Sequence, residues 1–197
     1  MIRTLALLAL LPGAALAQCP TAADLETGIR FQVDENDIEI FTNLTEDVVQ
    51  SDFWAGGEPM EGSVSQYSRT GYLLQFVSRE GGEIKPEWRT TYAFPYAPGD
   101  LPVLQPGDSF QWDVMMRNQD GLMKENHLFE VQAPVQRTYG NCTYEVIPYS
   151  VTYVDGSDKP NKDTMDYLPG LGVTLWVETT WDGTTDVMEY KLLEGGQ

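Results

Sequence analysis

Alternation of apolar and polar residues with a period of two constrains the fold of this 197-residue chain most strongly. In FQWDVMMR, one face would carry Phe110, Trp112, Val114 and Met116. In WRTTYAFPY, one face would carry Trp88, Tyr92, Phe94 and Tyr96. Successive side chains of a strand point to opposite faces of a sheet, so both segments are predicted to be half-buried strands.

Other segments are apolar at both odd and even positions, among them GYLLQFVS, CTYEVIPYSVTYV and GVTLWVETTW. We expect such strands to be covered on both sides or to lie in a strongly curved sheet. Pro148 has no N–H for a ladder, so a bulge or a sheet edge is predicted there. Helical patterning is confined to PTAADLETG, where Thr21 as N-cap and Gly28 as a stop predict one or two helical turns.

The predicted turns agree with an antiparallel arrangement. Asp-Gly pairs at 120–121, 155–156 and 182–183 suit tight hairpins, Gly81-Gly82 and Thr70-Gly71 add two further turns, and no segment has the pattern of a crossover helix. Residues 92–108 contain four prolines and are predicted to form a surface crossover. The expected fold is all-β: a single antiparallel, strongly curved meander of about eight to ten strands, half-barrel or sandwich-like, with a short N-terminal helix.

The chain begins with a secretory signal sequence, MIRTLALLALLPGAALA. A charged start, a short apolar run and Ala-Leu-Ala predict cleavage after Ala17. Residues 1–17 are then the signal peptide and 18–197 a single β domain, located in the bacterial periplasm or secreted.

Cys19 and Cys142 are the two cysteines, 123 positions apart. In an exported protein, a disulfide between them is the simplest interpretation, and it would tie the N-terminus to the start of a late strand. The alternative is a lipoprotein acylated at Cys19, with Cys142 as a lone thiol. Gln18 disfavours that alternative, because a lipoprotein signal needs a small residue immediately before its cysteine.

The charge balance disfavours two classes of partner. Arg3 is the only charged residue of the signal, so 11 of the 12 Lys and Arg remain against 30 Asp and Glu, a net charge near −19. Such a field repels phosphate backbones and anionic lipid surfaces. We therefore expect no nucleic acid partner, and no segment after the signal is apolar enough to span a membrane.

The sequence contains few of the residue patterns that are typical of catalytic sites. His127 is the only histidine, no Gly-x-Ser-x-Gly elbow is present, and zinc would need clustered His and Cys. His127 is predicted to be an ordinary strand residue, and neither enzymatic activity nor a cofactor is expected. A minor hypothesis is calcium binding in DGSDKPNKD, with Asp155, Asp158 and Asp163 as ligands, although the spacing departs from that of known calcium loops.

The aromatic residues are numerous: 10 Tyr, 7 Phe and 5 Trp. They either fill a β core or line a concave face that binds a hydrophobic ligand or a sugar. Three functions remain open: a non-catalytic binding or carrier domain, a structural or protein-interaction module of the envelope, and an enzyme. The oligomeric state is left open.

The last 70 residues resemble the closing hairpins of certain exported bacterial β proteins, uncharacterised periplasmic domains akin in shape to lipoprotein-carrier half-barrels. The shared pattern is a turn with Thr and Gly, here Thr-x-Gly, and then Tyr-x-Pro-x-Leu-Gly before a final hairpin. The matching residues are Thr138, Gly140, Tyr167, Pro169, Leu171 and Gly172. The resemblance implies a curved antiparallel sheet and no catalytic residues.

Overall fold

The computed structural model describes residues 19–154 and 160–193. These ranges contain four short 3₁₀ helices, at Ala22–Glu26, Ala55–Gly57, Pro86–Trp88 and Pro98–Asp100. They also contain fifteen strands: β1 Ile29–Val33, β2 Asp37–Asn43, β3 Val48–Trp54, β4 Gly62–Ser68, β5 Leu73–Glu80, β6 Glu83–Ile84, β7 Thr90–Ala93, β8 Ser109–Asn118, β9 Gly121–Val131, β10 Val135–Tyr139, β11 Cys142–Val154, β12 Asn161–Leu168, β13 Val173–Trp181, β14 Thr184–Val187 and β15 Tyr190–Leu192.

All pairings between strands are antiparallel, and they form one sheet in the order β14-β13-β12-β11-β9-β8-β7-β5-β4-β3-β2-β1-β15. Two further strands lie outside this order: β10 pairs with β11, and β6 pairs with β5. The predicted all-β antiparallel sheet is confirmed. The predicted number of strands was too low, because elements as short as β6 and β15 are too brief to show alternation.

The sheet is strongly curved, and its two edge strands come together. Only Met188 and Glu189 separate the end of β14 from the start of β15, so these ends lie at most about 11 Å apart. The N–H of Met188 donates to Val177 O on β13 (2.9 Å), and Glu189 O accepts from Asp34 N beyond β1 (2.8 Å). We call residues 187–190 the seam. At the seam the chain passes directly from one edge strand to the other, although β14 and β15 do not pair with each other.

Strands β11 and β13 are covered on both faces, as their apolar patterns predicted, and β12 between them is covered on both faces as well. One cluster of buried side chains includes Leu25, Phe31, Phe41, Val146, Leu168 and Leu175. The second cluster includes Tyr72, Leu104, Phe129, Tyr149, Val151 and Met165. Because neighbouring residues of these strands enter different clusters, odd and even positions are both apolar.

Pro148 lies where β11 changes its partner. Residues 142–146 pair with β10, and residues 149–154 pair with β9. Between these ladders the Pro148 carbonyl accepts from Gln132 N at 2.8 Å. The prediction of a bulge or a sheet edge at Pro148 was therefore wrong. The missing N–H is tolerated because proline stands in a gap between two ladders of an inner strand.

The N-terminal segment is fixed to β11. A disulfide joins Cys19 to Cys142 with their Cα atoms 5.5 Å apart, as predicted. The Tyr144 hydroxyl donates to Pro20 O at 3.0 Å. The predicted helical turns form a 3₁₀ helix, preceded by Thr21, whose backbone N–H donates to the Asp24 carboxylate at 2.7 Å.

The connections follow the predicted turn chemistry in part. The prediction of a tight turn at Asp120-Gly121 was wrong by one residue, because Asn118 pairs with Gly121 and the turn residues are Gln119 and Asp120. Gly81-Gly82 and Asp182-Gly183 form two-residue hairpin turns with positive φ, whereas the Asp155-Gly156 pair lies outside the described residues. Residues 94–108 join β7 to β8, which are hydrogen-bonded neighbours. The predicted surface crossover is thus a long hairpin loop. Trp88 and Tyr96 fall outside the short strand β7 and are exposed.

Candidate functional site

His127 lies on β9 as a cross-strand residue, opposite Trp112 on β8 and Tyr153 on β11. It is 3% exposed, and its Nε2 lies 2.6 Å from Glu125 Oε2. Aromatic rings surround the imidazole with centroids 4.8 to 6.4 Å away: Tyr92, Phe94, Phe129 and Tyr153. The side chain is therefore part of the packed interior.

A cavity beside His127 shows how completely this region is filled. Its volume is about 10 Å³, at the limit of what one water molecule requires. Its lining is mainly apolar and includes Phe94, Phe129, Tyr149, Val151 and Met165. A bulky apolar ligand would have to displace these side chains.

Of the three predicted calcium ligands, Asp155 and Asp158 lie outside the described residues. Asp163 is buried on β12, where its carboxylate accepts hydrogen bonds from the Tyr153 hydroxyl (2.6 Å) and the Thr179 hydroxyl (2.8 Å). Desolvation by burial raises the pKa of Asp163. Among residues 19–154 and 160–193, no group of three or more His, Cys, Asp or Glu is placed to hold a metal ion. The calcium site stays a prediction.

A second buried carboxylate, Glu39, was not recognised in the sequence. It lies on β2 and accepts hydrogen bonds from the Ser51 hydroxyl and from the Tyr190 hydroxyl, the latter at 2.7 Å. Burial raises the pKa of Glu39 to about 7. With 30 acidic residues in the chain, no local signal separates this carboxylate from the exposed ones.

One candidate site open to the surface is a slit where the sheet splits. β5 and β7 pair only through Gln75 with Thr91 and Phe76 with Thr90. Beyond Gln75 and Thr91 the two strands separate, because β7 soon ends and the chain enters the loop 94–108. The opening has a volume of about 330 Å³. Its lining consists of Gln66, Leu74, Gln75, Thr91, Tyr92, Ala93, Phe94, Tyr96 and Pro98.

The slit combines aromatic rings with uncharged polar groups. Gln66 lies directly opposite Gln75, and Gln75 lies directly opposite Thr91, so these three side chains form a row across three strands. Burial raises the pKa of the Tyr92 phenol, which keeps its hydroxyl protonated. A bound molecule would therefore meet amide and hydroxyl groups beside aromatic surface.

The aromatic rings of the slit are held by neighbouring rings. Phe94 packs edge-on against Tyr72 with a centroid distance of 5.3 Å. Tyr96, 53% exposed, packs edge-on against Trp112 at 5.7 Å. Sequence reasoning had identified the aromatic residues but not the slit. The amide row depends on strand register, which no local pattern reveals.

Within the described residues, no helix has the length and apolar character that a membrane span requires. No protein-family model matches the chain, and no curated protein matches it. Among solved structures, it is similar to the crystal structure of the hypothetical lipoprotein YmcC from Escherichia coli K12. The two are 9% identical over 90% of each chain, with a TM-score of 0.46. At this level no function is transferred, and the predicted resemblance to exported bacterial β domains stays a prediction at the level of the family.

Proposed function

We propose that this protein is an exported, non-catalytic binding domain that holds the uncharged sugar rings of a saccharide in the slit. The observation that carries the proposal is the lining of the slit. It contains no charged side chain, although 21% of the residues in the chain are charged. An ionic ligand would find no partner there.

Two features favour a saccharide over a purely apolar ligand. Sugar rings have apolar C–H faces that suit the rings of Tyr92, Phe94 and Tyr96. Their hydroxyl groups can exchange hydrogen bonds with Gln66, Gln75 and Thr91. An alkyl chain would cover the same amide groups without satisfying them, which is unfavourable.

The packed interior gives less support to the hypothesis that the protein carries a hydrophobic ligand than the slit gives to saccharide binding. The cavity beside His127 is far smaller than the roughly 300 Å³ or more that is typical of ligand pockets. His127 itself is enclosed by rings and paired with Glu125, which suits packing rather than catalysis. The disulfide suits an oxidising compartment outside the cytoplasm.

A protein-interaction role is the second candidate. β14 is an edge strand with all four residues exposed, and Trp181 beside it is 68% exposed. An exposed edge can pair with an extended segment of another protein. The two functions use different faces, so variants can separate them.

The test is binding of neutral oligosaccharides to residues 18–197, first on a glycan array and then by calorimetry. We expect Tyr96→Ala and Gln75→Ala each to weaken binding about fivefold, since an aromatic contact or a hydrogen bond contributes about 1 kcal/mol. Trp181→Ala is the matched control, an exposed aromatic outside the slit, and should bind normally.

The absence of binding to any neutral saccharide on the array would contradict the proposal. So would binding that is lost in Trp181→Ala and retained in Tyr96→Ala, because that result would place recognition at the β14 edge. Circular dichroism of each variant checks that the fold is retained.

A further inference from the structure

We infer that a second subsite, next to the slit, binds a phosphate-type oxyanion between Arg89 and Arg117. These arginines line a cleft of about 520 Å³. Its other lining residues are Pro86, Glu87, Thr91, Asn118 and Gln119. No sequence motif indicated it.

Strand register places both guanidinium groups on one face. Arg117 on β8 lies directly opposite Thr91 on β7. Arg89 precedes Thr91 by two residues on extended backbone, so its side chain points to the same face as Thr91. Diagonal neighbours of this kind have Cα atoms about 7–8 Å apart, close enough for two long side chains to grip one anion.

The two arginines are distinguished by their lack of partners. Most Lys and Arg side chains in the described ranges form an ion pair, a hydrogen bond or a cation–π contact: Arg30, Arg69, Arg79, Lys85, Lys124, Arg137 and Lys162. Within those ranges, the side chains of Arg89, Arg117 and Lys191 have none. In so acidic a chain, two unpaired guanidinium groups in one cleft indicate an anionic ligand.

The surrounding groups favour an oxyanion with several acceptor atoms. Arginine binds phosphate through two parallel N–H donors. The Asn118 side-chain oxygen already accepts from Asp120 N at 2.8 Å, which leaves its NH₂ group to donate. Glu87 is the one carboxylate of the lining, and it opposes an anion.

The cleft and the slit share Thr91. If the proposed saccharide site is correct, a ligand that spans both carries sugar rings in the slit and an anionic substituent between the arginines. We therefore identify the ligand as a phosphorylated saccharide. This last step rests on the proposed function, whereas the anion subsite stands on the arginines alone.

The first experiment titrates ¹⁵N-labelled protein with inorganic phosphate at fixed ionic strength and follows the amide signals of residues 117–119. Saturable shifts are expected. Arg89→Gln and Arg117→Gln should each weaken phosphate binding about tenfold, as expected for loss of a charge-assisted hydrogen bond. Glu87→Gln should strengthen it severalfold. Arg30→Gln removes the same charge from β1 and should leave binding unchanged.

Two outcomes overturn the subsite. One is the absence of saturation up to about 50 mM phosphate, which corresponds to negligible affinity. The other is equal weakening in Arg30→Gln and Arg117→Gln, which would show a response to net charge alone.

The second experiment compares a phosphorylated oligosaccharide with its unphosphorylated form. Tighter binding of the phosphorylated form is expected in the unmodified protein but not in Arg89→Gln. Phosphate binding without saccharide binding would retain the subsite and reject the proposed function; the reverse result would reject the subsite alone. Retention on phosphatidylglycerol vesicles that is lost in Arg89→Gln would overturn the saccharide assignment in favour of a lipid headgroup.

Discussion

At the scale of single residues, the carboxylate of Glu39 differs from an ordinary surface acid because it lies in the interior. It links three strands, since it is on β2 and accepts from Ser51 on β3 and Tyr190 on β15. Two hydrogen bonds stabilise the ionised form, but desolvation dominates and raises the pKa to about 7. Folding therefore favours the protonated carboxyl group.

This shift predicts a pH-dependent stability. The pKa of Glu39 rises from an ordinary value of 4.5 to about 7 on folding, so its stabilising effect is complete below pH 4.5 and is lost as pH rises through 7. The loss is about 3 kcal/mol, at roughly 1.36 kcal/mol per pKa unit. Glu39→Gln should resemble the unmodified protein at pH 4.5 and be more stable at pH 8, as measured by urea unfolding.

Asp163 and Asp166 also have raised pKa values and remain in both proteins, so some pH dependence is expected to persist in Glu39→Gln. Glu145→Gln is the matched control, because Glu145 is exposed on β11. The assignment to Glu39 would be wrong if Glu39→Gln and Glu145→Gln lost stability equally between pH 4.5 and 8.

At the scale of elements, the start of β4 depends on a close approach that only glycine allows. Gly62 pairs with Trp54 on β3 and Arg79 on β5 and has φ +138°. A Cβ atom there would lie 2.0 Å from the Phe53 carbonyl oxygen. The backbone of β3 would have to move to admit any side chain.

We predict that Gly62→Ala destabilises the fold by about 3 kcal/mol or more, because backbone strain and a backbone clash add together. Gly121→Ala is the control: Gly121 also has positive φ (+117°), but open space surrounds its Cβ position. It should cost only about 1 kcal/mol. Equal free energies of unfolding for the two variants, measured in urea, would contradict the role of the close approach.

Elements were predictable where their determinants are local. The Asp182-Gly183 and Gly81-Gly82 turns and the 3₁₀ segment after Thr21 follow from residues adjacent in sequence. The early end of β7 was missed, because the alternation of aromatics continues through Tyr96 while the ladder ends at Ala93. Alternation with a period of two shows which residues share a face of a strand, but it does not show where a partner strand is available to pair with them.

At the scale of the whole molecule, the seam lets one open sheet enclose its core. β15 covers the free edge of β1 through pairs such as Phe31 with Leu192. Leu192 is buried in the same cluster as Phe31, and Tyr190 reaches Glu39. The three residues of β15 thus cover an edge of the sheet and a side of the core that would otherwise be exposed.

Removal of β15 should therefore prevent folding. We predict that a chain ending at Val187 lacks dispersed amide signals, because the edge of β1 and the core around Phe31 become exposed. A chain ending at Leu193 keeps β15 and should fold normally. NMR spectra of the two proteins check this, and a well-dispersed spectrum from the shorter chain would show that the seam is not required.

The amino-acid sequence by itself determined the all-β class, the antiparallel pairing, some of the hairpin turns and the Cys19–Cys142 bond, because alternation, turn residues and the number of cysteines are local or countable. Only the tertiary structure decided the seam, the burial of Glu39, the slit and the placement of Arg89 and Arg117 in one cleft. These features depend on which strands become neighbours and in which register. That choice is made by contacts between residues far apart in the chain, and no short stretch of sequence contains it.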